Sequence, residues 1–258
     1  MWSQWQHSSL GNVWSSYIMN FVKSSSLSVA GDVALHMGLM PNSLKFLPQK
    51  NKFSLQDLSI KSNQIPYKVN NSIILNGSYY ELPFQDDSMD CILSIHSFDQ
   101  LEHKHIQHSM QEITRVLRPY GRLIVVNFNP YGLWHIRHKI TKLHKSTQTF
   151  LPLEHEHNGI SYYNFQEMLM NYGMNLHQAQ FGIYDLPSNT NKYISFNQKL
   201  NQMGNRWWPN LSNIYSLIMT KNVSGMHLNS EKESAKMRYS YNLNAQPTSK
   251  EAINRGEV

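Results

Sequence analysis

An α/β fold built on an open, doubly wound sheet is predicted by three features of the chain. Strand-like apolar runs alternate with helix-like runs along most of the sequence. One of them, "RLIVVNF", is almost continuously apolar, as a strand covered on both faces must be. Between it and the apolar run "MDCILSIH" lies "IQHSMQEITRVLRPYG", where Ile106, Met110, Ile113 and Leu117 recur at helical spacing. Strand, helix and buried strand in that order define a parallel βαβ unit.

The remaining elements follow in chain order. Leu10 to Val22 reads as an aromatic amphipathic helix, with Leu10, Val13, Trp14, Tyr17, Ile18 and Phe21 at helical spacing. "DVALHMGLM" is a short strand broken by Gly38, and "SLKFLPQ" a weaker strand ending at Pro48. "NSIILNGS" is a strand stopped by the Asn76-Gly77 turn. Pro119 and Gly121 close the helix of the βαβ unit. "LWHIRHKITKLH" is a basic helix, and "NFQEMLMNYGM" a helix with Gly173 near its end. "NLHQAQFGIY" and the apolar "LSNIYSLIMTKNV" complete the strands. Strands are thus expected near 33–38, 44–47, 72–76, 89–95, 122–128, 175–184 and 212–221. Three regions result: an N-terminal helical segment (1–31), an α/β domain (32–223) and a polar tail (224–258) too poor in apolar anchors to fold.

Composition narrows the function. Hydrophobic residues make up 40% of the 258, enough for a sizeable core. The net charge of +6 permits an anionic partner, but no dense Lys/Arg run precedes the tail, so nucleic acid is not the expected ligand. The single cysteine, Cys91, excludes an intrachain disulfide and a cysteine-based metal site; inside an apolar strand it reads as a structural thiol. The first residues lack a signal-peptide pattern, and no apolar run approaches the roughly 20 residues that span a bilayer. A cytosolic protein is the expectation. The thirteen histidines are densest in "EHKHIQH" and "EHEH", but without a paired i, i+4 arrangement around a glutamate, so no metal site is expected.

The stretch "NGSYYELPFQDDSMDCILSIHSFDQLEH…MQEITRVLRPYGRLIVVNFNP" resembles the class I S-adenosylmethionine-dependent methyltransferases of the small-molecule, type 11 branch. Gly77, Leu82, Pro83, Phe84, Asp90, Arg115, Val116, Leu117, Pro119 and Gly121 carry the resemblance, in order and at the family's spacing. It covers residues 75 to 130; "NFNPYGLWHIRH" looks like a proteobacterial branch with an Asn-Pro-aromatic segment after the fifth strand. The resemblance implies a Rossmann-like sheet of seven strands with the last antiparallel, helices on both faces, S-adenosyl-L-methionine as cofactor and a small-molecule acceptor.

It also implies the site. The cofactor would lie over His36, Met37 and Gly38 after the first strand. Gly77, Ser78 and Tyr79 would border it after the third strand, and Ile95 and His96 after the fourth. His96 would be the general base, its ordinary pKa being near operating pH. Phe98, Asn127, Asn129 and Tyr131 would line the acceptor pocket. Three family features are altered. Gly38 stands alone where the family has a glycine-rich loop. "SLKFLPQK" has no carboxylate for the ribose hydroxyls, Asp57 following too late. Ser78 replaces the acidic residue that meets the adenine amino group. A serine forgoes the charge assistance that makes such bonds roughly twice as strong. The alternative is therefore a catalytically silent methyltransferase-fold protein that serves as a binding or regulatory module. A valine at 38 would, on this reading, exclude the cofactor from a chain that still folds.

Overall fold

Seven strands form one sheet in the order β3-β2-β1-β4-β5-β7-β6 in the computed structural model of the chain. They are β1 (Val33–Gly38), β2 (Asn51–Gln56), β3 (Ile73–Asn76), β4 (Met89–Ile95), β5 (Leu117–Phe128), β6 (Met174–Gly182) and β7 (Ile214–Lys221). The helices are α1 (Ser9–Ser26), α2 (His103–Val116), α3 (Leu133–Leu143) and α4 (Tyr162–Asn171), joined by short 3-10 turns. The structure describes residues 5–57, 59–60, 72–143, 151, 159–184 and 208–222. The polar tail lies outside the described residues.

The fold class read from the sequence is the observed one. β1 pairs in parallel with β4 from Ala34↔Cys91 to Gly38↔Ile95, and β4 in parallel with β5. β7 inserts antiparallel between β5 and β6. The chain reverses its direction of travel across the sheet at β1 and β4, so the crevice beyond their carboxyl ends is where such sheets take ligands.

Alternation along the strands divides the core in two. Leu35, Met37, Ile92, Leu123 and Val125 face α2 and α4, meeting Ile106, Met110, Ile113, Phe165 and Leu169. Ala34, Cys91, Leu93, Ile95, Ile124, Val126 and Phe128 face α1, meeting Leu10, Trp14, Ile18, Phe21 and Val22. Burial pushes the Cys91 thiol up to about 12, which leaves it inert as a nucleophile.

The strand expected at 44–47 is not one. Pro41–Phe46 is a 3-10 helix with Pro41 in its first turn, and it buries Leu44. A proline fixes φ near the helical value and so favours this start. β2 lies further on, in "NKFSLQ", whose alternating polar and apolar residues carry less signal than "SLKFLP". A parallel crossover usually contains a full helix. Between β1 and β2 only the 3-10 turn is present, and α1 supplies the missing cover on that face.

At the opposite, amino-terminal end of the strands, Asp90 accepts the N–H groups of Asp32 (2.8 Å) and Val33 (2.9 Å) and pairs with Arg118 (2.7 Å). Burial works against its charge, yet Arg118 and the two N–H groups hold its carboxyl below the ordinary value. A cavity of about 380 Å³ opens at this same end, lined by Val33, Asn51, Phe53 and Phe84 among others. It lies across the sheet from the crevice and is not where a doubly wound sheet binds nucleosides.

Candidate functional site

Four strand ends make the crevice, and the shift of β2 changes what they carry. Asp57 directly follows β2 and is 2% exposed. This corrects the expectation that it comes too late: a carboxylate does stand at the end of the second strand. Its Oδ1 accepts the N–H (3.0 Å) and the hydroxyl (2.5 Å) of Ser59. Its Oδ2 accepts the Tyr79 N–H at 3.2 Å.

Gly38 ends β1 with φ +94°, a conformation that favours glycine. Its N–H donates to the Tyr79 hydroxyl at 2.9 Å. The next N–H, of Leu39, donates to the Ile95 carbonyl at 2.8 Å, tying the ends of β1 and β4 together. A Cβ on Gly38 would stand 2.1 Å from the Ile95 oxygen and 2.9 Å from the Ser97 nitrogen. The side chain of a valine would therefore meet protein backbone before it met any ligand. The chain would not keep its fold unchanged, contrary to the expectation for that substitution.

The other members of the first strand are structural. Met37 is fully buried in the core facing α2. His36 is also fully buried; its ring reaches the Leu39 carbonyl through Nε2 at 2.8 Å and Ser54 through Nδ1 at 3.4 Å. A carbonyl can only accept, so Nε2 carries the proton. Burial lowers the pKa to about 4, keeping the ring neutral. His36 thus closes the turn after β1 from below.

After β3, the Gly77 N–H donates to the Gln56 carbonyl at 3.1 Å, which fixes the start of the turn beside Asp57. Ser78 bridges to Glu81 and leaves Tyr79 and Tyr80 at the tip of the turn. Tyr80 stacks on His105 of α2 with centroids 3.9 Å apart.

His96 follows Ile95 at the end of β4 with φ +54° and no solvent exposure. Its Nδ1 lies 2.7 Å from Asp99 Oδ2, and its Nε2 accepts the Trp14 indole N–H at 2.9 Å. An indole nitrogen only donates, so Nε2 is unprotonated and its lone pair is taken. The general-base assignment is therefore corrected: the ring orients Asp99 and anchors α1 rather than facing the crevice. Asp99 also accepts the Phe128 N–H at 2.9 Å, joining β4 to β5.

The acceptor-side residues separate. Phe98 is buried edge-on against Phe165, with centroids 4.8 Å apart, as part of the core. Asn129 is consumed by its turn: Nδ2 donates to the Asn210 and Ser212 carbonyls, and Oδ1 accepts the Tyr131 N–H. Tyr131 is 61% exposed at the tip of that turn. Asn127 donates to the Tyr215 hydroxyl at 3.1 Å, while its buried Oδ1 has no hydrogen-bond partner. Near the start of α3, His135 is 2% exposed with neither ring nitrogen bonded. Burial, with a smaller effect from Lys139, lowers its pKa to about 4. Orphaned buried groups of this kind are rare in native folds and call for an explanation. Sequence reasoning missed His135 because nothing in "LWHIRH" distinguishes a buried ring from an exposed one.

Comparison with known proteins agrees with this architecture. Residues 52–125 match the family model described as a methyltransferase domain. No curated protein matches the sequence. A structure described as a sarcosine dimethylglycine methyltransferase from Galdieria sulphuraria is 17% identical, with TM-score 0.54 over 81% of this chain and 86% of that one. A chain from the Haloferax volcanii complex of the Trm112 methyltransferase activator with a methyltransferase is 15% identical, with TM-score 0.53 over 80% and 90%. The cyclase SpnF is 12% identical, with TM-score 0.50 over 80% of each chain. The family match spans residues 52–125, and the likeness to these solved structures extends over the seven-stranded fold. No helix among the described residues is long and apolar enough to cross a membrane.

Proposed function

We propose that the protein is an S-adenosylmethionine-dependent methyltransferase acting on a small-molecule acceptor. The observation that carries this reading is the buried Asp57 carboxylate at the end of β2, beside a glycine that ends β1 in a left-handed conformation. That donor set suits the cofactor: a carboxylate accepts the two ribose hydroxyls, and a Cβ-free loop lets the backbone approach the amino-acid part. Gly77 and Ser78 would border the adenine. The cofactor, when bound, supplies a methyl group on a sulfonium. The chain's own contribution is to orient and to exclude water. Asp99, held by His96 and by the Phe128 N–H, fixes the floor between β4 and β5. Asn127 and His135 offer neutral polar atoms to an acceptor on that side.

Isothermal titration with S-adenosylmethionine and S-adenosylhomocysteine tests the reading. Micromolar binding of either, lost in an Asp57→Asn variant that still unfolds cooperatively, supports it. A silent binding module is the second reading. It is favoured by one observation: Asp57 and Gly38 are both already bonded to Tyr79. An absence of binding at millimolar ligand would decide for it.

A further inference from the structure

We propose that Tyr79 is a built-in ligand mimic, closing the crevice between the ends of β1, β2 and β3, and that an adenosyl ligand binds only by displacing it. The inference rests on the reading above, since it concerns the same crevice. Tyr79 is fully buried, yet it sits at the tip of a turn rather than in a strand. One end of the residue meets the carboxylate and the other meets the glycine: its N–H goes to Asp57 Oδ2 (3.2 Å), and its hydroxyl accepts from the Gly38 N–H (2.9 Å).

The strand register explains why the hydroxyl lands there. Successive N–H groups along a strand point to opposite neighbours. The Leu39 N–H is directed at Ile95 of β4, so the Gly38 N–H is directed toward β2. The ladder between β1 and β2 stops at the pair Met37↔Leu55, so Gly38 has no ladder partner on that side. The group would be left bare at the mouth of the sheet. An adenosyl ligand offers equivalent partners: a hydroxyl hydrogen for Asp57 in place of the Tyr79 N–H, and an acceptor oxygen for the Gly38 N–H in place of the Tyr79 hydroxyl. The exchange is one hydrogen bond for another at each end, so Tyr79 competes with the ligand without blocking it permanently.

The test uses the full chain with S-adenosylhomocysteine as probe. Tyr79→Phe keeps the ring in the core and removes only the hydroxyl that holds Gly38. Titration calorimetry is expected to show binding about 2- to 10-fold tighter in Tyr79→Phe than in wild type, the range of one neutral hydrogen bond. Independently of any variant, the Gly38 amide resonance of the wild type is expected to shift on ligand addition. Equal or weaker binding by a folded Tyr79→Phe, with the wild type binding, overturns the mimic and leaves the proposed activity standing; an unmoved Gly38 amide in a saturated wild type does the same. Absence of binding by both proteins at millimolar probe overturns the mimic and the activity together.

Discussion

Asp57 shows how much a single residue's meaning depends on where its strand ends. Its type was visible in the sequence, but its place at the mouth of β2 was not, because "SLKFLP" is the more apolar stretch and "NKFSLQ" the actual strand. The partners of Tyr79 and His96 were equally hidden. Trp14 and His96 are 82 residues apart, and no local pattern links them. Trp14→Phe is expected to remove the indole donor at little cost in volume and to lower stability by about 1 to 3 kcal/mol, the penalty for disturbing a buried polar group. Urea unfolding measures it; an unchanged midpoint would mean that the Trp14–His96 bond contributes nothing. His36 predicts a pH dependence. Its pKa falls from an ordinary 6.5 to about 4 on folding because burial disfavours the charged ring. The unfolded chain therefore binds the proton more readily between those values. This contribution to stability is full above pH 6.5, declines as pH falls, and is gone once pH passes about 4. It amounts to on the order of 3 kcal/mol at 1.36 kcal/mol per pKa unit, and His135 acts in the same window. Urea midpoints at pH 7 and pH 4.5 test it: the wild type should weaken steeply, His36→Asn less so.

At the scale of elements, the two ends of the sheet do different work. The carboxyl end is held by contacts between strand termini, the amino end by an ion-paired aspartate. Gly38→Ala is expected to destabilise the protein whether or not ligand is present, since its φ of +94° and the Ile95 oxygen at 2.1 Å both oppose a side chain. The expected cost is 1 to 3 kcal/mol or more, on the order set for a strained backbone residue, and thermal unfolding without ligand reads it. Asp90→Ala removes two backbone caps and an ion pair at the far end. It should lower stability by about 2 kcal/mol while leaving S-adenosylhomocysteine affinity as in wild type. A loss of affinity in that variant would mean that the two ends are coupled. The elements themselves were legible wherever burial was complete on both faces. β4 and the 123–128 part of β5 were found because most of their residues are apolar and buried, whereas residues 117–121, expected to end the preceding helix, already belong to β5. The β1–β2 crossover was misread because the cover it lacks comes from α1, a segment distant in sequence from the crossover's own turn.

For the molecule as a whole, the N-terminal helix is part of the core rather than an addition to it. Leu10, Trp14, Ile18, Phe21 and Val22 are all buried against the sheet. At about 1.5 to 3 kcal/mol for each large apolar side chain, the five contribute about 8 to 15 kcal/mol, comparable to the whole stability of a typical domain. A fragment of residues 32–223 is therefore expected to lack cooperative thermal unfolding by circular dichroism. A fragment with a sharp transition would show that the sheet stands without α1. The tail carries the opposite expectation on composition alone. Ending the chain after Val223 should shift the melting temperature by less than about 2 °C, about one kcal/mol at most for a domain of this size.

The aromatic contacts of α1 also give the protein an internal optical probe. Trp5 lies 5.4 Å from Trp14 and 6.2 Å from Trp134, edge to face in both cases, and 6.5 Å from Phe128. Three of the six tryptophans thus share one knot, made by Trp5 just ahead of α1, Trp14 within it, the end of β5 and the start of α3. Rings so close and so nearly perpendicular couple their transitions, and the near-ultraviolet circular dichroism of the native protein should carry that coupled signal. The indole of Trp14 also touches His96, so the spectrum reads the junction of β4 with the N-terminal helix directly. Because the sheet depends on α1 for its cover, that signal and the backbone spectrum should be lost together on heating, and loss of the aromatic signal first would show that the helix can leave a standing sheet.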